Sequence, residues 1–261
     1  MSFREGFVEA DGFRIRYMEA GDGPVLVHLH GAGGLRLSRG HDLLALGHRV
    51  VAMEMPGFGA SADNTRSADT RDLAEAMAAA IHALGIASYD LMGTSFGGKV
   101  ALWLAILHPD RVRALVLEAP AAIRPADSRP ATGTPEEIAR RLYAHPERMP
   151  PPPAADPAVQ AKQLALVKRT IGPAHDAALQ EQMRGMQTPV LVLFGTMDRI
   201  IPSEMGRHYK ALLPHCHLIF VYDAGHAPLA ERPEAFTEAA MDFFARQEAF
   251  VVTRRGTQIF P

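Results

Sequence analysis

Residues 93–98 read Gly-Thr-Ser-Phe-Gly-Gly and contain the pattern G-x-S-x-G, centred on Ser95. The apolar run Tyr89–Gly93 ends on the first glycine of the pattern, and helical spacing begins at about Phe96. A strand, a tight turn and a helix in this order present a nucleophilic serine at a helix N-terminus. With 22 glycines in 261 residues, chance accounts for about 0.06 such patterns, and the context adds specificity. We predict that Ser95 is a nucleophile; the alternative is a serine that only caps the helix.

Apolar runs of strand length recur on both sides of this motif and alternate with helical segments. The continuous runs lie at 24–30, 49–55, 114–118, 189–195 and 217–222. Such runs are typical of strands buried on both faces, as in a parallel sheet between helices. The segment Phe13–Met18 instead alternates polar and apolar residues, which predicts an antiparallel edge strand. Helical spacing lies at 69–84, 96–108, 203–213 and 233–246, with Ser203 as an expected N-cap. The alternation indicates an α/β fold.

The stretch from Ala119 to Thr188 interrupts this alternation. It has no strand pattern, but helical pieces occur at 135–143, 157–171 and 173–186, beside a proline run at 150–153. A stretch of about seventy residues is too long for a plain loop. We therefore predict an α/β core of residues 1–119 and 188–261, with 120–187 as a small helical cap over one end of the sheet. A disordered linker is the alternative.

The composition excludes several classes of protein. Lys and Arg number 27 against 29 Asp and Glu, which gives a net charge of −2 and argues against a nucleic-acid partner. The single cysteine, Cys216, excludes an internal disulfide framework and a cysteine-based zinc site. No apolar run reaches the roughly 18 residues of a membrane helix, and the N-terminus lacks a signal-peptide pattern. We expect a cytoplasmic protein without a membrane partner.

A serine at neutral pH needs a general base, and His226 is the best candidate. It lies in the loop 223–228, Asp-Ala-Gly-His-Ala-Pro, between the last strand-length run and the last helical segment. The alternative is a solvent-exposed loop histidine. The base in turn needs a carboxylate. Asp198 follows the buried run at 189–195, where parallel sheets build their sites, and is preferred over Asp223 and Glu118.

Residues 30–34, His-Gly-Ala-Gly-Gly, follow another strand and predict an oxyanion hole. Its donors are the backbone N–H groups of Ala32 and Phe96, with Gly33 as the second choice in this turn. A dinucleotide-binding loop is not supported, because Arg36 stands where the last glycine of G-x-G-x-x-G belongs. His28 and His30 share a strand face, but no ligand cluster follows at metal spacing, so we expect neither a metal nor a cofactor.

Together these segments resemble the α/β-hydrolase superfamily, in the serine branch with a helical cap after the sixth strand. The resemblance rests on residues 30–34, 56–61, 93–98, Asp198 and 225–226, and it spans roughly residues 7–248. It implies an eight-stranded, mostly parallel sheet flanked by helices, with the site between sheet and cap. Glu54 stands where the family usually carries aspartate. The serine nucleophile limits the resemblance to haloalkane dehalogenases and epoxide hydrolases to the fold, and the tail 249–261 has no counterpart.

The combined interpretation is a cofactor-independent serine hydrolase that cleaves a small or medium carboxylic ester. Ser95, His226 and Asp198 would form the catalytic triad, and Gly33 and Phe58 would contact the substrate. One alternative is hydrolysis of a C–C bond in a vinylogous diketone. Arg124 is a candidate carboxylate ligand for it, although we prefer to interpret Arg124 as a solvated arginine. The other alternative is a ligand receptor that keeps the triad without turnover.

Overall fold

The computed structural model of the protein describes residues 2–128, 133–150, 156–250 and 258–259. One twisted sheet has the strand order β1-β2-β4-β3-β5-β6-β7-β8-β9. Strands β3 to β8 are parallel, whereas β1, β2 and β9 pair antiparallel to their neighbours. The strands are β1 (Arg4–Ala10), β2 (Phe13–Ala20), β3 (Val25–Leu29), β4 (Arg49–Met53), β5 (Tyr89–Thr94), β6 (Val112–Glu118), β7 (Val190–Gly195), β8 (Cys216–Val221) and β9 (Gln258–Ile259).

Helices cover both faces of the sheet. They are α1 (Arg39–Leu44), α2 (Thr70–Ala83), α3 (Phe96–Leu107), α4 (Pro135–Leu142), α5 (Pro157–Thr170), α6 (Ala177–Arg184), α7 (Gly206–Leu212), α8 (Pro228–Glu231) and α9 (Pro233–Arg246). Apolar residues of α2, α3, α6 and α7 share one core with one face of the sheet, and those of α1, α8 and α9 share a second core with the other face. The predicted α/β fold, an eight-stranded and mostly parallel sheet between helices, is confirmed in β1–β8.

The local sequence explains where the principal elements begin and end. Asp69 caps α2, since its carboxylate accepts the N–H groups of Arg71 and Asp72, a contact typically worth about 1 kcal/mol. Gly85, at φ 74°, follows the last turn of that helix. Strand β7 is buried along its whole length, as its uninterrupted apolar sequence predicts.

Three details differ from the predictions. Strand β2 is antiparallel but is not an edge strand, because β1 pairs along its outer side and occupies the edge. Ser203 is not an N-cap: residues Ser203–Met205 form a 3₁₀ turn after Pro202, and α7 begins only at Gly206. The tail adds the short strand β9, which extends the sheet beyond the eight strands expected.

The stretch between β6 and β7 carries helices α4, α5 and α6 and, among its described residues, no strand. Arg124 ties the start of this stretch to its later part, since it donates to the carbonyls of Gly172 (2.7 Å) and Pro173 (3.2 Å). Lys99 of α3 is buried and donates to the carbonyl of Ile171 (2.8 Å). Prolines 151–153 of the expected proline run lie outside the described residues. Across the described part of the chain, no helix combines the length and the apolar character needed to cross a membrane.

Candidate active site

Ser95 lies on the turn between β5 and α3 in a strained backbone conformation, with φ 51° and ψ −113°. Positive φ in a residue with a side chain costs of order 1 kcal/mol and needs support from its surroundings. That support comes from the backbone: the N–H of Ser95 donates to the Glu118 carbonyl (2.8 Å), and the Ser95 carbonyl accepts from Ala121 (2.9 Å). The turn also needs Gly97, where a Cβ would lie 2.3 Å from the carbonyl oxygens of Leu29 and His30.

The structure brings the three predicted triad residues together. His226 Nε2 lies 2.9 Å from Ser95 Oγ, and His226 Nδ1 lies 2.7 Å from Asp198 Oδ2. The other oxygen of Asp198 accepts the N–H groups of Ile200 (2.8 Å) and Ile201 (2.9 Å), which fixes the carboxylate. Because a carboxylate only accepts, it holds the proton of His226 on Nδ1 and leaves Nε2 free to accept the serine proton.

The two competing carboxylates are engaged elsewhere. Asp223 accepts a hydrogen bond from His145 Nε2 (2.6 Å), and this bond lowers the pKa of Asp223 below its usual range. Glu118 is buried and accepts from the hydroxyl of Thr94 (2.6 Å) and the N–H of Leu229 (2.7 Å). Neither side chain is a hydrogen-bond partner of His226.

The turn after β3 is organised by His30. Its Nδ1 donates to the carbonyl of Gly31 (2.7 Å), while its Nε2 accepts the N–H of Met55 (3.1 Å). Burial lowers the pKa of His30 to about 4, so the ring is neutral at physiological pH. The N–H of Gly34 closes the turn on the Gly31 carbonyl (3.1 Å). A Cβ at Gly31 would lie 3.4 Å from the Ser95 Cβ, so the turn adjoins the serine.

The predicted oxyanion donors belong to the two segments that meet at Ser95, the turn after β3 and the start of α3. Ala32 follows Gly31 in the turn, and Gly33, the second choice, is exposed. Phe96 is the first residue of α3, where the backbone N–H has no acceptor within the helix. The two segments therefore offer backbone donors beside Ser95.

Phe58, a predicted substrate contact, has no exposed surface. Its ring packs edge-on against His30, with centroids 4.6 Å apart, and lies 6.1 Å from the ring of Phe96. Phe58 is therefore buried against the turn after β3 and the start of α3, where it cannot contact a substrate. Its loop is held by the buried Glu54, whose carboxylate accepts from Ala60 N–H (2.7 Å).

The motifs of the sequence did not reveal a row of buried and half-buried polar side chains beside the serine. His28 Nδ1 lies 3.0 Å from His41 Nε2, and His28 Nε2 lies 3.0 Å from the hydroxyl oxygen of Thr94. Thr94 in turn contacts Glu118. Burial lowers the pKa of His41 to about 4 and that of His28 well below its usual range. Among all described residues, no three or more His, Cys, Asp or Glu side chains are arranged to hold a metal ion.

The stretch between β6 and β7 also reaches the loops of the site. The N–H of His226 donates to the carbonyl of Leu142 (2.7 Å). Glu231 accepts from the N–H groups of Gly225 (2.8 Å) and Ala144 (2.7 Å), which joins the loop of His226 to the end of α4. Arg199, beside Asp198, donates to the carbonyl of Arg140 (2.8 Å).

Helix α5 approaches the opposite side of the site. A Cβ at Gly34 would lie 3.4 Å from Gln163 Nε2, and a Cβ at Gly57 would lie 2.5 Å from Leu166 Cδ2. Both the turn after β3 and the Phe58 loop therefore contact α5.

Comparison with known proteins agrees with this geometry. The family model described as the alpha/beta hydrolase family matches residues 26–239. A 2-hydroxymuconate semialdehyde hydrolase from Pseudomonas putida is 30% identical, over 92% of this chain and 94% of its own length. A pimeloyl-[acyl-carrier protein] methyl ester esterase from Neisseria meningitidis serogroup B is 33% identical, over 74% of this chain and 81% of its own length.

One solved structure extends the likeness to three dimensions. The 2-hydroxy-6-oxo-6-phenylhexa-2,4-dienoate hydrolase from Rhodococcus sp. strain RHA1 has a TM-score of 0.78 and 22% sequence identity to this chain. The match covers 94% of this chain and 99% of that one, so the likeness extends over nearly the whole fold.

Proposed function

The chain belongs to the alpha/beta hydrolase family and is a hydrolase, and from this premise we propose that it is a serine esterase. Its substrate is a small-molecule carboxylic ester with a short or medium acyl chain, which it cleaves through an acyl-enzyme. The observation that carries the proposal is the unbroken line of hydrogen bonds from Asp198 through His226 to Ser95, at 2.7 and 2.9 Å.

Each triad residue has one role in the proposed reaction. Ser95 Oγ attacks the ester carbonyl while His226 Nε2 takes the serine proton, and Asp198 stabilises the imidazolium that forms. The bond to the leaving oxygen breaks, and His226 gives its proton to the departing alcohol. Water then attacks the acyl carbon, passes a proton to His226 and releases the acid, after which the proton returns to Ser95.

The N–H groups of Ala32 and Phe96 stabilise the oxyanion in this scheme. Two features support this role: Gly31 adjoins Ser95, and the first turn of α3 leaves the N–H of Phe96 without a helical acceptor. His30 supports the turn rather than the chemistry, because both of its ring nitrogens are occupied by backbone partners. Gly33, exposed at the tip of the turn, is the proposed substrate contact.

We propose further that residues 120–187 form a helical cap on a core of residues 1–119 and 188–261. The contacts of Leu142 with His226, of Arg199 with Arg140, and of Gln163 with Gly34 support this division. They join α4 to the loops of His226 and Asp198, and α5 to the turn after β3. A cap in this position limits the size of the acyl group that reaches the serine.

Hydrolysis of a C–C bond is the second candidate, favoured by the name of the 30% identical Pseudomonas putida relative, a semialdehyde hydrolase. Such a substrate carries a carboxylate that needs a cation. Arg124 does not fit this role, because it already donates to the carbonyls of Ala121 (3.0 Å), Gly172 and Pro173. Its engagement favours the ester.

A hydrolysis panel tests the choice between these substrates. Nitrophenyl esters from acetate to hexanoate, a thioester, a lactone and a vinylogous diketone acid would be compared by kcat/KM, with Ser95→Ala as the control. We expect the highest kcat/KM on an ester, about tenfold or more above the diketone acid, and a kcat at least about a thousandfold lower in the variant. A preference for the diketone acid would favour the second candidate.

A further inference from the structure

A continuous row of buried and half-buried polar groups runs from the start of α1 to the end of β6, next to Ser95. The N–H of Ser38 contacts His41 Nδ1 (3.0 Å), and His41 Nε2 contacts His28 Nδ1 (3.0 Å). His28 Nε2 contacts the hydroxyl of Thr94 (3.0 Å), which lies 2.6 Å from Glu118 Oε2. His28, His41 and Glu118 are each at most 3% exposed.

The two fixed ends of this row set the direction of every hydrogen bond. A backbone N–H only donates, so His41 accepts on Nδ1 and, as a neutral ring, carries its proton on Nε2. His28 then accepts on Nδ1 and donates from Nε2 to Thr94. Thr94 has one hydroxyl proton, which it donates to Glu118. Each group donates to the next, and the row ends on the carboxylate.

Glu118 also connects the two loops that carry Ser95 and His226. Its Oε2 accepts from Thr94, the residue before Ser95, and its Oε1 accepts the N–H of Leu229 (2.7 Å), three residues after His226. Its own carbonyl accepts the N–H of Ser95 (2.8 Å). The two loops that carry Ser95 and His226 are thus both hydrogen-bonded to the side chain or the backbone of Glu118.

The charge of this carboxylate lies within electrostatic reach of the base. Burial raises the pKa of Glu118 above its usual range and the charge of Glu231 adds to the rise, while the hydrogen bonds from Thr94 and Leu229 and the nearness of His226 oppose it. The negative charge of Glu118 in its ionised form favours the imidazolium that forms at His226 during proton transfer.

We infer that Glu118 is a positioning residue that holds the Ser95 and His226 loops in register, with His28 and His41 orienting Thr94 for it. This inference rests on the proposed roles of Ser95 and His226. Asp198 bonds the His226 ring directly and orients it, whereas Glu118 bonds Thr94 and Leu229 and fixes the distance between the loops. A small displacement of reacting groups lowers kcat strongly.

Glu118→Gln and Thr94→Val test the inference, with Asp90→Asn as the matched control. Asp90 is a buried carboxylate at the amino end of β5, paired with Arg113 (2.7 Å). On the best nitrophenyl ester we expect Glu118→Gln to lower kcat about tenfold or more, with KM within about twofold. The acid limb of its kcat/KM profile should move to lower pH, because the imidazolium loses a favourable charge.

Thr94→Val removes one link and keeps the carboxylate. It should lower kcat about threefold with KM within about twofold, whereas Asp90→Asn should lower Tm and leave kcat unchanged. A folded Glu118→Gln protein with wild-type kcat and an unmoved acid limb would overturn the inference. The inference would also be overturned if, across all three variants, kcat fell only in proportion to the fall in Tm. If Glu118→Gln does not fold, wild-type kcat in Thr94→Val overturns it instead.

Ser95→Ala in the same assay keeps the two proposals distinguishable. A folded Ser95→Ala protein that keeps more than about a tenth of wild-type kcat would contradict the proposed function itself. Loss of turnover in Ser95→Ala together with wild-type behaviour of Glu118→Gln would contradict only the role of Glu118.

Discussion

The two ends of the parallel sheet differ in backbone strain. Three of the non-glycine residues with positive φ follow the carboxyl ends of parallel strands: Ser95 (51°), Ala119 (42°) and Asp223 (56°). The other two described ones, Asp11 and Gln247, lie in the β1–β2 turn and after α9. Strained residues persist only where their surroundings over-determine the conformation, and such places cluster at functional sites.

The amino ends of the same strands carry a different kind of polar structure. Asp90 and Arg113 form an ion pair there (2.7 Å), beside the buried ring of His48. A cavity of about 360 Å³ adjoins this pair. At this end the charge of Asp90 is paired directly with Arg113, whereas at the carboxyl end Glu118 accepts directed hydrogen bonds from the loops of Ser95 and His226. The comparison teaches that directed polar contacts and backbone strain, rather than the presence of a cavity, mark the candidate site.

Removing the nucleophile should give the largest effect. We expect Ser95→Ala to lower kcat for nitrophenyl esters by at least about a thousandfold, because no other group forms the acyl-enzyme. Residual hydrolysis would come from the oxyanion donors and binding alone. Steady-state kinetics with a circular-dichroism check of folding measures this. A folded variant that keeps more than about a tenth of wild-type kcat would remove Ser95 from the mechanism.

Replacing the orienting carboxylate should come next. In Asp198→Asn the amide oxygen can still accept from Ile200 and Ile201, but the NH₂ group then faces His226 Nδ1 and favours the wrong tautomer. We expect kcat to fall about a thousandfold or more, with KM little changed. Asp223→Asn is the matched control and should lower kcat less than about threefold. The reverse order of the two variants would assign the acid to Asp223.

Much of the site follows from the sequence because its signals are local. The turn that carries Ser95 needs glycines at fixed offsets, and the loops of Asp198 and His226 directly follow apolar runs. Parallel strands end at one edge, so three such loops meet there. The contacts of Glu118 with Thr94 and of Thr94 with His28 join β6, β5 and β3, which only the strand order brings side by side.

The parts of the fold that escaped prediction lack such local signals. In β1 only Val8 is buried, so the strand has no apolar run, and its pairing displaces β2 from the edge. Helix α1 has six residues, and its N-terminus depends on a hydrogen bond between Ser38 and His41 rather than on apolar periodicity. Phe58 looked available to substrate from its loop sequence, but Glu54 folds that loop inward over His30.

Acid should destabilise the carboxyl end through its buried histidines. Burial lowers the pKa of His30 and of His41 to about 4, whereas an unfolded chain titrates near 6.5. The unfolded state therefore binds protons in this window that the folded state does not, so the free energy of unfolding falls as pH falls from about 6.5 towards about 4.

This loss amounts to about 2 kcal/mol per histidine between pH 7 and pH 5. Urea unfolding at both pH values would measure this loss of unfolding free energy. In His41→Gln the loss between pH 7 and pH 5 should be smaller by the share of one histidine. His82→Gln, on the exposed side of α2, serves as the control and should behave as wild type. An unchanged difference in His41→Gln would show that His41 titrates normally in the folded state.

The smallest effect should come from the proposed cap. Leu166 of α5 is buried over Gly57, so Leu166→Ala opens space for a longer acyl chain. We expect the ratio of kcat/KM for hexanoate to that for acetate to rise about three- to tenfold. Leu179→Ala, in the buried face of α6, should cost stability without changing this ratio. Equal changes in both variants would indicate general loosening instead of a size limit.

The central claim is an acyl-enzyme on Ser95, and rapid-quench mass spectrometry tests it most directly. Wild-type protein mixed with excess nitrophenyl acetate and quenched within one turnover should gain a single acetyl group, located on the peptide that contains Ser95. Ser95→Ala should gain none, and His226→Ala should gain it far more slowly. Hydrolysis without any acetylated intermediate, or an acetyl group on another residue that turns over at the rate of kcat, would contradict the account.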